Sequence, residues 1–77
     1  MTIKTLICDD SSFARKQIQR SLPESWKFQI TQAKNGQECI DELKAGKGDL
    51  LFLDLNMPVM DGFQVLEAIQ KQNLKTV

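Results

Sequence analysis

Apolar and β-branched residues fill Ile3-Lys4-Thr5-Leu6-Ile7-Cys8 and stop abruptly at Asp9-Asp10, a pattern that predicts a short strand. Ser11 and Ser12 follow, and a hydroxyl there can accept from the free N–H groups of a first helical turn. Phe13, Ala14, Ile18 and Leu22 recur at near-helical spacing, with Arg15, Lys16, Gln19 and Arg20 on the other side. Pro23 disfavours helical geometry at Leu22, so this first helix should stop there. Trp26, Phe28 and Ile30 then alternate with Lys27, Gln29 and Thr31, which predicts a second strand near a sheet edge with one face well buried. Asn35-Gly36 is a turn signal, and Ile40 and Leu43 form the stripe of a short second helix that Gly46 and Gly48 end through positive φ.

The run Leu50-Leu51-Phe52-Leu53 is apolar without alternation, as expected of a central strand covered on both faces, and it ends on Asp54. Beyond a loop over 56–62, Val65, Leu66 and Ile69 mark a third helix that fades at Asn73. Leu74-Lys75-Thr76-Val77 then has the look of an approach to another strand. The resulting β-α-β-α-β-α order implies an α/β fold, a thin doubly wound parallel sheet with right-handed crossovers and helices on both faces.

Composition narrows the possible functions. Ten basic residues balance ten acidic ones, which excludes a strongly basic nucleic-acid grip and a polybasic membrane anchor. No apolar run approaches the ~18 residues of a spanning helix, and the first residues lack a signal-peptide pattern. The chain has no histidine, so imidazole acid–base chemistry and histidine metal ligation are excluded. Cys8 and Cys39 lack zinc-like spacing and read as small buried apolar residues of a cytoplasmic protein.

Asp9, Asp10 and Asp54 carry the candidate chemistry. Ligands gather at the carboxyl ends of strands in open parallel sheets, so neighbouring first and third strands would bring all three acids into one pocket. Their mutual repulsion is relieved by a divalent cation, and hard oxygen donors favour Mg²⁺ or a similar ion. Taken alone, Asp9-Asp10 could equally complement a helix dipole. Asp54 is harder to dismiss, because a carboxylate ending a buried apolar run needs a partner.

Together, Ile7-Cys8-Asp9-Asp10-Ser11 and Phe52-Leu53-Asp54-Leu55-Asn56-Met57-Pro58-Val59-Met60-Asp61-Gly62 resemble the receiver domain of two-component response regulators, the family that includes the chemotaxis response regulator. The resemblance runs from the first strand to the last residue. It implies a flavodoxin-like fold with strand order 2-1-3-4-5, of which this chain would hold 2-1-3. It further implies that Asp54 is the phosphoacceptor, taking a phosphoryl group from a kinase phosphohistidine or a phosphotransfer protein. Asp9 and Asp10 then hold Mg²⁺ (or Mn²⁺) together with Asp54. The backbone carbonyl of Asn56 completes the metal shell, Pro58 and Gly62 shape the loop, and Asp61 caps the third helix.

The family's domain has five βα units and this chain has three, so residues 1–77 are expected to be a partial receiver domain. The Ser/Thr that reads the phosphoryl group, its Lys partner and the aromatic switch residue have no counterpart here. Loss of one charged oxyanion partner costs about 2.7–4 kcal/mol of transition-state stabilisation, so phosphotransfer should be impaired. The third strand would lie at an edge, and a homodimer formed through it is expected, with neither nucleic acid nor membrane as a partner. The resemblance describes a phosphoacceptor rather than an enzyme with external substrates. Two other readings compete with it: a phosphorylation-silent interaction module, and an aspartate-nucleophile phosphohydrolase. The second usually carries another acid two residues after its nucleophile, where this chain has Asn56.

Overall fold

A computed structural model describes residues 2–54, 61–74 and 76. The elements are β1 (Ile3–Cys8), α1 (Ser12–Ser21), β2 (Phe28–Ala33), α2 (Gly36–Lys44), β3 (Leu50–Leu53) and α3 (Gly62–Gln72). The three strands form one parallel sheet in the order β2-β1-β3. Strand β1 pairs with β2 from Ile3↔Phe28 to Cys8↔Ala33, and with β3 from Thr5↔Leu50 to Cys8↔Leu53.

The central position therefore belongs to β1, whose Thr5, Leu6, Ile7 and Cys8 are all buried. Strand β3 was expected to be covered on both faces, yet each of its residues is only half-buried. The reason is its place at an edge of the sheet, where β1 is its sole described neighbour. Thr5 resolves its own burial locally, since its hydroxyl donates to the Ile3 carbonyl at 3.2 Å.

Alternation along β1 sorts the two faces. Leu6 and Cys8 join Ala33, Cys39, Ile40, Leu43 and Val65 in one apolar cluster, with Leu51, Leu53, Ala68 and Ile69 packed against it. Thr5 and Ile7, a period of two out of step with these, point to the opposite face. Helix α2 packs on β1, β2 and α3, whereas α1 packs on β1. The chain moves from β1 to β2 and then back past β1 to β3, so crossovers of one hand set α1 and α2 on opposite faces.

Each helix starts on a side-chain cap. Ser11 accepts from the Ala14 N–H, Asn35 from the Glu38 N–H, and Asp61 from the Gln64 N–H in a full capping box with Gln64. Asn35-Gly36 is thus a helix start rather than a free turn. Helix α1 ends at Ser21 with Leu22 extended ahead of Pro23, as the proline requires. Helix α3 ends on Asn73 in the left-handed region, where the Leu74 N–H returns to the Ile69 carbonyl at 3.0 Å.

Three expectations are corrected by packing. Phe13 is 68% exposed, and no residue of α1 is fully buried. It sits in the first turn, at the strand carboxyl ends, where the three-stranded sheet is too narrow to cover it. Leu66 is 49% exposed, because Val65 and Ile69 at i and i+4 define the inward stripe and Leu66 lies about 100° away. Trp26 lies outside β2 and is exposed, with its ring stacked on Phe28 at 5.9 Å.

Gly46 has φ +76 and ends α2 as the sequence suggests, but Gly48 does not use positive φ. It is needed for space: a Cβ there would lie 2.6 Å from Leu43 Cδ2 and 3.1 Å from Leu6 Cβ. Both neighbours are buried, so neither yields freely. Gly48→Ala should therefore cost about 1–3 kcal/mol. In a chain of this size that lowers the thermal midpoint by about 4 °C or more. A Gly48→Ala chain melting with the wild type would disprove the close-packing account.

Candidate functional site

The parallel register builds the site. Cys8 and Leu53 are paired, and the Asp54 N–H donates to the Cys8 carbonyl at 2.9 Å, so the two strands release Asp9 and Asp54 side by side. Asp10 follows at the first step of the β1–α1 connection. One carboxylate oxygen each from Asp9, Asp10 and Asp54 lies within 4.8 Å of the others, with Asp9 and Asp54 half-buried and Asp10 exposed. The structure thus brings together all three acids singled out in the sequence. Asn56, expected to offer its backbone carbonyl, lies outside the described residues, as does Pro58.

Local hydrogen bonds hold the acidic turn. The Asp9 N–H donates to the Ala33 carbonyl of β2 at 3.1 Å. Asp9 Oδ1 accepts from the Ser11 N–H at 2.9 Å, a bond that orients this carboxylate while leaving its other oxygen for a ligand. The Asp9 carbonyl accepts from Arg15 Nη1 at 2.6 Å. Arg15 Nε in turn donates to Gln32 Oε1 at 2.8 Å, and Gln32 reaches Gln19 Oε1 at 3.4 Å.

Carboxylates at this separation repel by about 3 kcal/mol per pair at a surface-like dielectric, and less where Asp10 meets solvent. The donor set fits a small hard cation. Oxygens around an octahedral ion with 2.0–2.1 Å bonds sit about 3 Å apart at adjacent vertices and about 4 Å apart at opposite ones. The three carboxylate oxygens all lie within 4.8 Å of one another, close to that spacing. The cluster can therefore hold a divalent metal.

A sulfur donor lies close by but is not available. The Cys8 thiol donates toward the Asn35 carbonyl at 3.5 Å. Contact with the Cys39 thiol, burial, and the Asp9 and Asp54 carboxylates together push it far above the usual thiol range. A thiol kept protonated is a poor metal ligand and a poor nucleophile. An open groove lined by Ile3, Ser25, Trp26 and Lys27 lies at the amino-terminal end of β1, away from every one of these acids.

Sequence reading assigned Arg15 only to the polar side of α1 and missed its contact with the acidic turn. One signal was present. It is a cation near the start of a helix with no acid in its first turn, where the dipole disfavours positive charge unless a local acceptor compensates.

Comparison with known proteins places this geometry. The family described as the response regulator receiver domain matches residues 5–77. The protein-glutamate methylesterase/protein-glutamine glutaminase of Geobacillus kaustophilus is 38% identical over 73 residues, which is 94% of this chain and 21% of that protein. Its counterpart 1 in Methanosarcina mazei is 43% identical over 68 residues, 87% of this chain and 19% of that one. The chain thus spans about a fifth of the curated relatives it matches. Among solved structures, the signal receiver domain of NarL from Mycobacterium tuberculosis superposes with TM-score 0.86 at 30% identity, covering 97% of this chain and 61% of that one. The response regulator domain of Thermotoga maritima CheB gives 0.79 at 29% identity, covering 97% and 57%.

Burial of both thiols makes a direct test of the packing beside the acids. In the native chain Cys8 and Cys39 should resist Ellman's reagent, and both should react once the chain is unfolded. Immediate reaction of both thiols under native conditions would refute that packing.

Proposed function

The chain belongs to the family of response regulator receiver domains, and on that premise we propose that Asp54 accepts a phosphoryl group at the acid cluster. The supporting observation is the convergence of Asp9, Asp10 and Asp54 at adjoining strand ends. The donor is the phosphohistidine of a cognate sensor kinase or of a phosphotransfer protein. An Asp54 oxygen forms the new O–P bond as the P–N bond breaks, and that electron pair goes to the imidazole nitrogen. When bound, Mg²⁺ or Mn²⁺ supplies neutralisation of charge on the phosphoryl oxygens.

The chain's own residues do the positioning. Asp9 and Asp10 offer the two carboxylates that gather the cation, with the Asn56 backbone carbonyl as a further oxygen donor. The β1–β3 ladder fixes Asp54 against them, and the Ser11 N–H holds Asp9 in its rotamer.

A second proposal concerns assembly. Leu50–Leu53 carries no charge and no proline, and its far flank has no described strand neighbour. A second copy pairing antiparallel across a two-fold axis would complete the strand order 2-1-3-3′-1′-2′. Sedimentation equilibrium at micromolar concentration should give the mass of a dimer. A well-folded monomer would overturn the pairing.

Incubation with acetyl phosphate and a divalent cation tests the phosphoacceptor reading. The chain should slowly gain one acid-labile, hydroxylamine-labile acyl phosphate, and Asp54→Asn should abolish it. Chelation of the metal should suppress labelling in the wild type. Equal labelling of Asp54→Asn would place the acceptor elsewhere.

A further inference from the structure

Three groups of the acidic turn are tied down, and one tie comes from a residue that bears no role in the chemistry above. The Asp9 N–H is held by Ala33 and the Asp9 carboxylate by Ser11, so the direction of Asp9 is settled from two sides. Asp10 has no such bond of its own among the contacts described. Its orientation depends on the peptide plane that precedes it, and the oxygen of that plane is the Asp9 carbonyl. The Arg15 guanidinium holds this oxygen at 2.6 Å.

Arg15 is itself braced. Its Nε donates to Gln32 Oε1 at 2.8 Å, from the opposite side of the β1–β2 ladder, where Gln32 pairs with Ile7. Gln19, one turn further along α1, meets the same Gln32 amide at 3.4 Å. A planar fork with two fixed acceptors loses little freedom on forming its bonds, whereas a lysine ammonium could satisfy one acceptor without fixing the angle to the other. The backbone of Arg15 is also anchored, because its N–H donates to the carbonyl of the α1 cap, Ser11.

We infer that Arg15, braced by Gln32, is a positioning residue of the cation site: it fixes the Asp9–Asp10 peptide plane and so aims the Asp10 carboxylate at the ion. The inference rests on the metal reading given above. Charge and position make opposite demands here, which renders the idea decidable. As a positive charge near a cation site, Arg15 would weaken metal binding, and its removal would tighten it. As the clamp on the acidic turn it strengthens binding, and its removal loosens it. Groups that orient metal ligands from behind typically contribute 10- to 100-fold to affinity.

The test uses Mn²⁺ alone, followed by the electron spin resonance signal of the free aqueous ion, on the wild type, Arg15→Ala, Arg15→Lys and Gln32→Ala. Arg15→Ala should bind about tenfold more weakly. Arg15→Lys should stay weaker than wild type although the charge is kept, and Gln32→Ala should lose affinity in the same direction by a smaller factor. Unchanged or tighter binding by a folded Arg15→Ala chain overturns the inference. Should that chain fail to fold, Gln32→Ala decides in its place, since Gln32 is exposed and its loss leaves the core intact. The Asp10 amide resonance provides a metal-free readout: Arg15→Ala should shift it while leaving that of Val65 in place, and an unmoved Asp10 amide refutes the clamp. A wild type that binds no Mn²⁺ sinks the metal reading, and the amide resonance then still judges the clamp.

Discussion

The ladder between β1 and β3 is the constraint on which the rest of this molecule depends. Its last pair, Cys8 with Leu53, decides which residues leave the sheet together. A slip of one residue would reverse the faces of β3 and carry Asp54 away from Asp9 by about 3.3 Å along the strand. The register is held from both sides. Leu51 and Leu53 pack against the cluster of Leu6, Cys8 and Val65, while the Asp54 N–H closes the ladder on the Cys8 carbonyl. Apolar packing on one face thus sets the spacing of the charges at the sheet's end.

That spacing sets folding against function. Three carboxylates held near one another raise the free energy of the folded state, because the unfolded chain keeps them apart. At Asp9 the surrounding structure answers this with backbone contacts. Ser11 supplies an N–H to Asp9, and Arg15 spends its guanidinium on a carbonyl, not on a carboxylate. Neither contact neutralises the negative charge of Asp9, so that carboxylate remains competent toward a cation. The salt bridges Lys47–Glu42 and Lys71–Glu67 lie on other elements.

Much of this was readable before any coordinates. An abrupt change from β-branched residues to Asp9-Asp10, and from Leu53 to Asp54, marks strand ends because a charge cannot continue a buried run. The order of elements follows from the switch between periods of two and 3.6, and Ser11 and Asp61 sit where caps are chemically required. What stayed hidden depends on residues distant in sequence. Gly48 reads as a helix terminator, yet its absent side chain makes room for Leu6, forty-two residues earlier. Arg15 looks like solvent-facing charge, since its partners are the Asp9 carbonyl just past β1 and an amide on β2. Phe13 and Leu66 carry the hydrophobic signal of buried positions, but exposure is decided by how far the sheet extends beneath each helix. The central place of β1 was legible only through the family resemblance, which implied the order 2-1-3, because composition alone pointed to β3 as the central strand.

The lone tryptophan lies at the other end of the sheet from the acids. Trp26 stacks on Phe28, whose strand partner is Ile3, the first residue of β1. The strand is six residues long, so about 20 Å of sheet separates the indole from the acids' end. Emission from Trp26 is therefore blind to occupancy as such and sensitive to whether the chain is folded. A ligand that binds only the native state would register there through thermodynamic linkage, as a displaced unfolding midpoint. At a free concentration one hundred times the dissociation constant, that displacement corresponds to about 2.7 kcal/mol. The separation of the two ends makes this molecule its own calorimeter, with the chemistry at one pole and the optical signal at the other.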